Sequence, residues 1–168
     1  MSDYSVADKP KISIIGHGRH GKDTVAEILR DDYGYSLIPA SWTFAEVVMR
    51  YRCSYSTTQD CFEDRVNHRK LWGDAIEEYN TPNPGKLAEL VLSEGSDLYV
   101  GCRRLREFKA TKHLFKHIIW VDRSQHLPHE GKGSMELSAV NATIFLDNNG
   151  SIEDLHSNLN EVMKEIHK

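Results

Sequence analysis

The run Gly16-His17-Gly18-Arg19-His20-Gly21-Lys22-Asp23-Thr24 combines residue types and spacing suited to the chemistry of phosphate groups. Gly16 and Gly21 followed by Lys22 match the pattern of glycine, four residues, glycine, lysine. In such a loop the backbone N–H groups and the positive end of the next helix cradle phosphate oxygens, and the lysine ammonium reaches the outer phosphates. A nucleoside triphosphate is the expected ligand. The alternative is a tight turn in which the glycines serve backbone geometry alone. The residue after the lysine, where Ser or Thr normally offers a hydroxyl to magnesium, is Asp23, and Thr24 comes one place late.

Further cationic groups follow in the chain. Arg65, Arg69, Trp72 and Ile76 are separated by four, three and four residues, which puts two guanidinium groups and an indole on one side of a helix, with Asp64 and His68 in a neighbouring row. Such a face can hold a phosphate through Arg forks and stack a flat base on Trp72; it can equally be a surface of ion pairs with Trp72 in the core. Arg103 and Arg104 stand directly after the apolar run Leu98-Tyr99-Val100-Gly101-Cys102, at the carboxyl end of an expected strand, where ligands of open α/β sheets collect. Arg123 and Lys132 are the cations of a stretch, residues 123–137, that reads as a loop and could act as a lid over transferred phosphate.

The elements that must position these groups alternate. Strands are expected at Lys11–Ile15, Tyr35–Pro39, Leu98–Cys102, His117–Asp122 and Ala142–Leu146. Helices are expected over residues 21–32, from Ser41 with Ser41 or Thr43 as cap, over Gln59–Tyr79 with Thr57 or Thr58 as cap, over Lys86–Ser93, and over Ile152–Ile166. Residues 1–10 read as a polar tail. The pattern predicts one α/β domain of three layers over residues 1–168, with a mostly parallel five-stranded sheet and an all-helical insertion over residues 41–95.

Composition narrows the function classes. A net charge of -4 offers no general attraction to nucleic acid or to anionic membranes, so neither partner is expected. No apolar run reaches the roughly 18 residues of a membrane span, Asp3 and Asp8 interrupt any signal-peptide core, and a cytoplasmic location is expected. Cys53, Cys61 and Cys102 show neither pairing nor metal spacing and read as reduced, buried filler. His126 and His129 flank Leu127-Pro128 without an acidic or cysteine cluster and read as solvated loop histidines. Exposed helices permit a homodimer without specifying one.

Four stretches together resemble the phage-type deoxynucleoside monophosphate kinases of the P-loop nucleoside monophosphate kinase superfamily: Gly21-Lys22-Asp23-Thr24, Ser41-Trp42-Thr43-Phe44-Ala45, Val100-Gly101-Cys102-Arg103, and Asp147-Asn148-Asn149-Gly150-Ser151-Ile152-Glu153-Asp154-Leu155. Ser134-Met135-Glu136 is a weaker match to a Ser-x-Glu lid element. In that family an aspartate commonly follows the lysine, as Asp23 does here. The resemblance implies a P-loop kinase fold with a monophosphate-binding helical insertion and a short lid. It also implies ATP and Mg²⁺ as cofactors and phosphoryl transfer to a (deoxy)nucleoside monophosphate, in the host cytoplasm if the chain is phage-encoded. It gives the phosphate-binding role to residues 16–24 and catalytic roles to Lys22, Arg103 and Arg123. Asp23 and Thr24 would orient the metal, and Phe44, Asp64, Arg65, His68, Arg69 and Trp72 would line the acceptor side. The family often carries an aspartate two places before the arginine at 103, where this chain has Gly101. Two alternatives stand beside it: a P-loop kinase of the dephospho-coenzyme A or phosphomevalonate type, and a nucleotide-binding module with degenerate catalysis.

Overall fold

The computed structural model describes residues 9–168; of the tail expected over residues 1–10, residues 1–8 lie outside the described residues. The chain begins with β1 (Ile12–Ile15), the glycine-rich loop and α1 (Lys22–Tyr33). A helical cover follows: α2 (Ala40–Phe44) running through a π-helical turn (Ala45–Met49) into α3 (Arg50–Arg52), then α4 (Thr58–Asp64), a 3-10 turn (Arg65–Asn67), α5 (Arg69–Tyr79) and α6 (Lys86–Ser93). The remainder is β2 (Leu98–Val100), α7 (Leu105–Thr111), β3 (His117–Asp122), β4 (Ile144–Asp147) and α8 (Ile152–Ile166).

The strands form one sheet in the order β2-β1-β3-β4, and every pairing is parallel. Alternation along the strands divides the core into two layers, because successive side chains point to opposite faces. Ile12, Ile14, Ile119 and Val121 pack with Val25 and Leu29 of α1 and with Leu155 and Leu159 of α8. Ile15, Ile118 and Trp120 pack on the other face with Phe44, Trp72, Leu87 and Val91 of the helical cover. Covered on both faces, the β1 run Ile-Ser-Ile-Ile can be buried throughout, as parallel strands of α/β folds are.

The sheet has four strands where five were expected. The segment Tyr35–Pro39 does run beside the start of β2, but it makes a single backbone bond there, from Asp97 N to Ser36 O at 2.8 Å. Side chains take the other positions of a ladder. Asp97 Oδ2 accepts from Ser36 N at 2.8 Å, and the buried Ser96 Oγ accepts from Ile38 N at 3.1 Å while donating to Leu98 O at 2.7 Å. A segment satisfied by carboxylate and hydroxyl groups does not form a strand.

The expected continuous helix over Gln59–Tyr79 is also corrected. Thr57 caps α4, its side chain accepting from Asp60 N, but the helix ends at Asp64. The Asp64 carboxylate there accepts from Tyr55 Oη at 2.5 Å and Asn67 Nδ2 at 2.7 Å, and it lies 3.1 Å from His68 Nε2. Local side-chain bonds of this kind compete with the helical ladder. His68, with φ -133° and ψ 39°, leaves the helical region before α5 starts. Nor does the helix expected from Ser41 use Ser41 or Thr43 as its cap: α2 begins at Ala40 after Pro39, without a side-chain cap bond. Cys61 and Cys102 are buried as expected, whereas Cys53 is exposed. Among the described residues no helix is long and apolar enough to cross a membrane.

Replacing Ser96 by Ala removes the acceptor of Ile38 N and leaves that part-buried donor unpaired. The expected loss is about 1–3 kcal/mol of unfolding free energy in urea titration. A change within about 0.3 kcal/mol would show that the segment at 35–39 is held by its apolar side chains instead.

Candidate functional site

The first turn of α1 sets the site's electrostatics. A helix N-terminus leaves four N–H groups without intrahelical partners. In α8 the Ser151 side chain accepts one of them, but α1 opens at Gly21 with no side-chain cap. Gly21 sits at φ 101°, a left-handed conformation that glycine adopts without strain. The loop is pinned from the carboxyl-terminal part of the chain: Arg123 N donates to His20 Nδ1 at 2.9 Å, Asn148 Nδ2 to His20 O at 2.9 Å, and Glu130 N to His17 Nδ1 at 3.0 Å. Lys22 Nζ donates back to His17 O at 2.8 Å. Burial, and then the Arg103 guanidinium, hold the Lys22 ammonium below its ordinary pKa. This concentration of donors and positive charge is complementary to an oxyanion. A cavity of about 230 Å³ opens on it, lined by Arg19, Gly21, Lys22, Asp23 and Thr24.

A second cavity of about 1100 Å³ lies between α1, the helical cover and the carboxyl end of β2. Its cations are Arg30, Arg65, Lys70, Arg103, Arg104 and Arg106, interleaved with the carboxylates of Glu27, Asp74, Glu77, Glu107 and Glu136, and Asp23 lines both cavities. The two spaces therefore meet at the first turn of α1, with Lys22 on one side and arginines on the other.

The cationic residues read from the sequence divide between this site and the scaffold. Arg65 lines the large cavity, with its guanidinium 3.7 Å from the Phe62 ring centroid and Nη1 donating to Phe62 O at 2.6 Å. Arg69 is exposed and absent from the cavity wall, because the break at His68 rotates α5 relative to α4 and brings Lys70 to the cavity instead. Trp72 is buried edge-on against Phe44, at 5.8 Å between ring centroids, so both aromatic side chains belong to the core and neither lines the cavity. Asp64 and His68 pair with each other at the helix break, also off the cavity wall. Arg123 donates through Nη1 to Asn148 O at 2.5 Å and Gly150 O at 3.3 Å, bracing the loop before α8. Arg103 Nη1 donates to both carboxylate oxygens of Glu130, at 2.7 and 2.6 Å.

Several lining or bracing residues carried no sequence signal. Lys70 reaches the cavity only because the helix breaks, Phe62 lies three places before Arg65 on the same helix face, and Glu130 reaches the glycine-rich loop only through the path of a long connection. His129 and His126 are not simply solvated: His129 stacks on His17 at 4.4 Å, and His126 Nε2 lies 2.6 Å from Asn149 O.

Among the described residues no group of three or more His, Cys, Asp or Glu could enclose a metal ion. A magnesium ion that keeps several waters needs only one or two protein groups besides substrate phosphates. Asp23 and Thr24 are placed for this beside Lys22. Asp122 is committed elsewhere, accepting from Ser124 Oγ at 2.8 Å and Asn149 Nδ2 at 3.0 Å. Burial pushes its pKa up, but these bonds outweigh burial and hold the carboxyl below its ordinary value. Gly101 has φ 96°, so an aspartate there would be strained even though a Cβ would meet open space.

No protein-family model matches the sequence, and no curated protein matches it. Among solved structures, the crystal structure of TT1252 from Thermus thermophilus is similar over 94% of this chain and 98% of that chain, with a TM-score of 0.56 and 19% sequence identity. At that identity the likeness concerns the fold alone.

The His17 bond sets a pH dependence. Burial, then the neighbouring His129 and His20, hold the His17 imidazole below its ordinary pKa. The native state therefore resists a proton that the unfolded chain accepts near about pH 6.5, so stability present at neutral pH is lost as pH falls through that value. His117 and His167 shift in the same direction through burial. His17→Asn keeps an acceptor for Glu130 N without a titrating ring. Its urea midpoint should fall less than that of the wild type between about pH 7.5 and about pH 5.5; parallel curves would assign the dependence to the other histidines.

Proposed function

We propose that this protein transfers a phosphoryl group from ATP to a nucleoside monophosphate, in the manner of the P-loop kinases that its sequence resembles. One observation carries the proposal: an uncapped helix N-terminus with a part-buried lysine opens beside a large cavity whose wall carries five arginines among its charged groups, and Asp23 stands between the two spaces. Transfer between two phosphorylated molecules needs positioning and charge neutralisation more than a nucleophilic side chain. Loop N–H groups and Lys22 would hold the donor phosphates. Mg²⁺, when bound, would neutralise charge on the transferred phosphate, with Asp23 and Thr24 orienting it. Arg65, Lys70 and Arg104 would hold the acceptor phosphate, and a base would meet the Phe62 ring on that wall once the Arg65 guanidinium, now 3.7 Å from its centroid, turns to the phosphate. Arg103, now paired with Glu130 and close enough to Lys22 to lower its pKa, would offer charge to the transferring group.

The test is a screen of common ribo- and deoxyribonucleoside monophosphates with ATP and Mg²⁺, following diphosphate formation. Transfer to a phosphorylated small molecule of the dephospho-coenzyme A or phosphomevalonate kind, with none to nucleotides, would favour that class. Triphosphate binding without turnover on any acceptor would favour the binding module.

Three substitutions sharpen the assignment. Lys22→Ala should lower kcat by at least about a hundredfold, the scale of losing one electrostatic donor to a transition state; a kcat within about threefold of wild type would remove Lys22 from the chemistry. Arg65→Ala should weaken monophosphate binding by about tenfold or more in titration calorimetry, while Arg69→Ala, outside the cavity, should leave it within about twofold. The reverse order would place the acceptor on the other side of α5.

A further inference from the structure

One carboxylate of the long loop stands inside the glycine-rich loop. Glu130 Oε2 accepts from Gly18 N at 2.9 Å, and its two oxygens take the Arg103 guanidinium at 2.7 and 2.6 Å. Its own backbone N–H donates to His17 Nδ1, and the preceding residue, His129, lies flat on the His17 ring with 10° between the planes. Beyond it the connection is fastened to the arginine segment: Arg104 Nη1 donates to Gly133 O at 2.9 Å, Glu136 N to Arg103 O at 3.0 Å, and Leu105 N to Glu136 Oε2 at 2.8 Å. Residues 129–136 thus bridge the two cationic surfaces.

A backbone N–H of the loop and a guanidinium N–H are the partners a phosphate oxygen would take there. Burial pushes the Glu130 pKa up, but Arg103, the Gly18 N–H and the Lys22 charge outweigh it and keep the group an anion. Two anions cannot share the same donors, since like charges a few ångströms apart repel.

We propose that Glu130 is an internal competing anion, whose carboxylate holds the oxyanion position of the glycine-rich loop until a polyphosphate displaces residues 129–130 and frees Arg103. The proposal rests on the assignment of this loop to a polyphosphate. It makes the resting site partly occupied, at Gly18 and Arg103, while the cavity at residues 21–24 stays open, and it sets affinity by the difference between two anions rather than by the loop alone. Arg103 becomes available to a ligand only through the displacement that admits it. A buttress that merely aligned Arg103 would behave oppositely, because its loss would weaken anion binding.

Inorganic tripolyphosphate titrated calorimetrically into wild type and Glu130→Gln, at low salt, separates these cases. Removing the charge while keeping the side chain's shape should tighten binding by about tenfold or more. Equal or weaker binding by Glu130→Gln, with the wild type still binding, would overturn the competing anion and leave the polyphosphate site standing. Absence of binding by both would overturn the polyphosphate site, and the proposal with it. A second measurement needs no variant. Tripolyphosphate should speed amide hydrogen exchange at Glu130 as its bond to His17 breaks, while slowing exchange at Gly18; slowed or unchanged exchange at Glu130 would overturn the displacement.

Discussion

The positive pole at the start of α1 must be offset by something negative, and much of the structure is arranged around that requirement. Gly21 can take the left-handed conformation that turns the chain into the helix, but it has no side chain to accept the helix's free N–H groups. Lys22 adds a part-buried ammonium in the same turn, and Arg103 approaches from the end of the neighbouring strand, raising the electrostatic cost. Glu130 meets part of it from within the chain. The same donors that suit an oxyanion therefore determine where a distant segment of polypeptide lies.

The sheet brings these groups to one edge. With β1 between β2 and β3 and every strand parallel, the carboxyl ends of the strands open onto the same rim. Arg103 follows β2, the glycine-rich loop follows β1, Asp122 ends β3, and Asn148 follows β4. Each contributes to one small region although they are spread over more than a hundred residues. The helical cover closes the other side, so that the large cavity has the sheet rim as floor and α5 as part of its wall.

Sequence patterns made the glycine-rich loop, its flanking elements, the strands β1, β2 and β3 and the closing helix legible, because each depends on short-range periodicity and turn chemistry. Thr57 as a cap was legible for the same reason. The fifth strand was not: Tyr35–Pro39 has the composition of a strand, and only the side chains of Ser96 and Asp97, some sixty residues away, show why it forms no ladder. The acceptor face read from Arg65, Arg69 and Trp72 assumed a helix that Asp64 interrupts through partners on both sides of it. Trp72 resolved to the core, the plainer of its two options. Glu130 lay beyond any local pattern, since its partners Gly18 and Arg103 are distant in the chain and its own neighbourhood reads only as polar loop.

The pins of the glycine-rich loop also bear on how the molecule comes into being. His17 and His20 emerge near the start of synthesis, yet the groups that fix them, Arg123 N, Glu130 N and the Asn148 amide, belong to the final third of the chain. Parallel pairing offers no hairpin to organise β1 early, and its first partner, β2, follows some eighty residues later. The segment with the most recognisable chemistry is thus shaped among the last. A ribosome-bound chain lacking β4 would carry the lysine and the glycines without the architecture that gives them a direction.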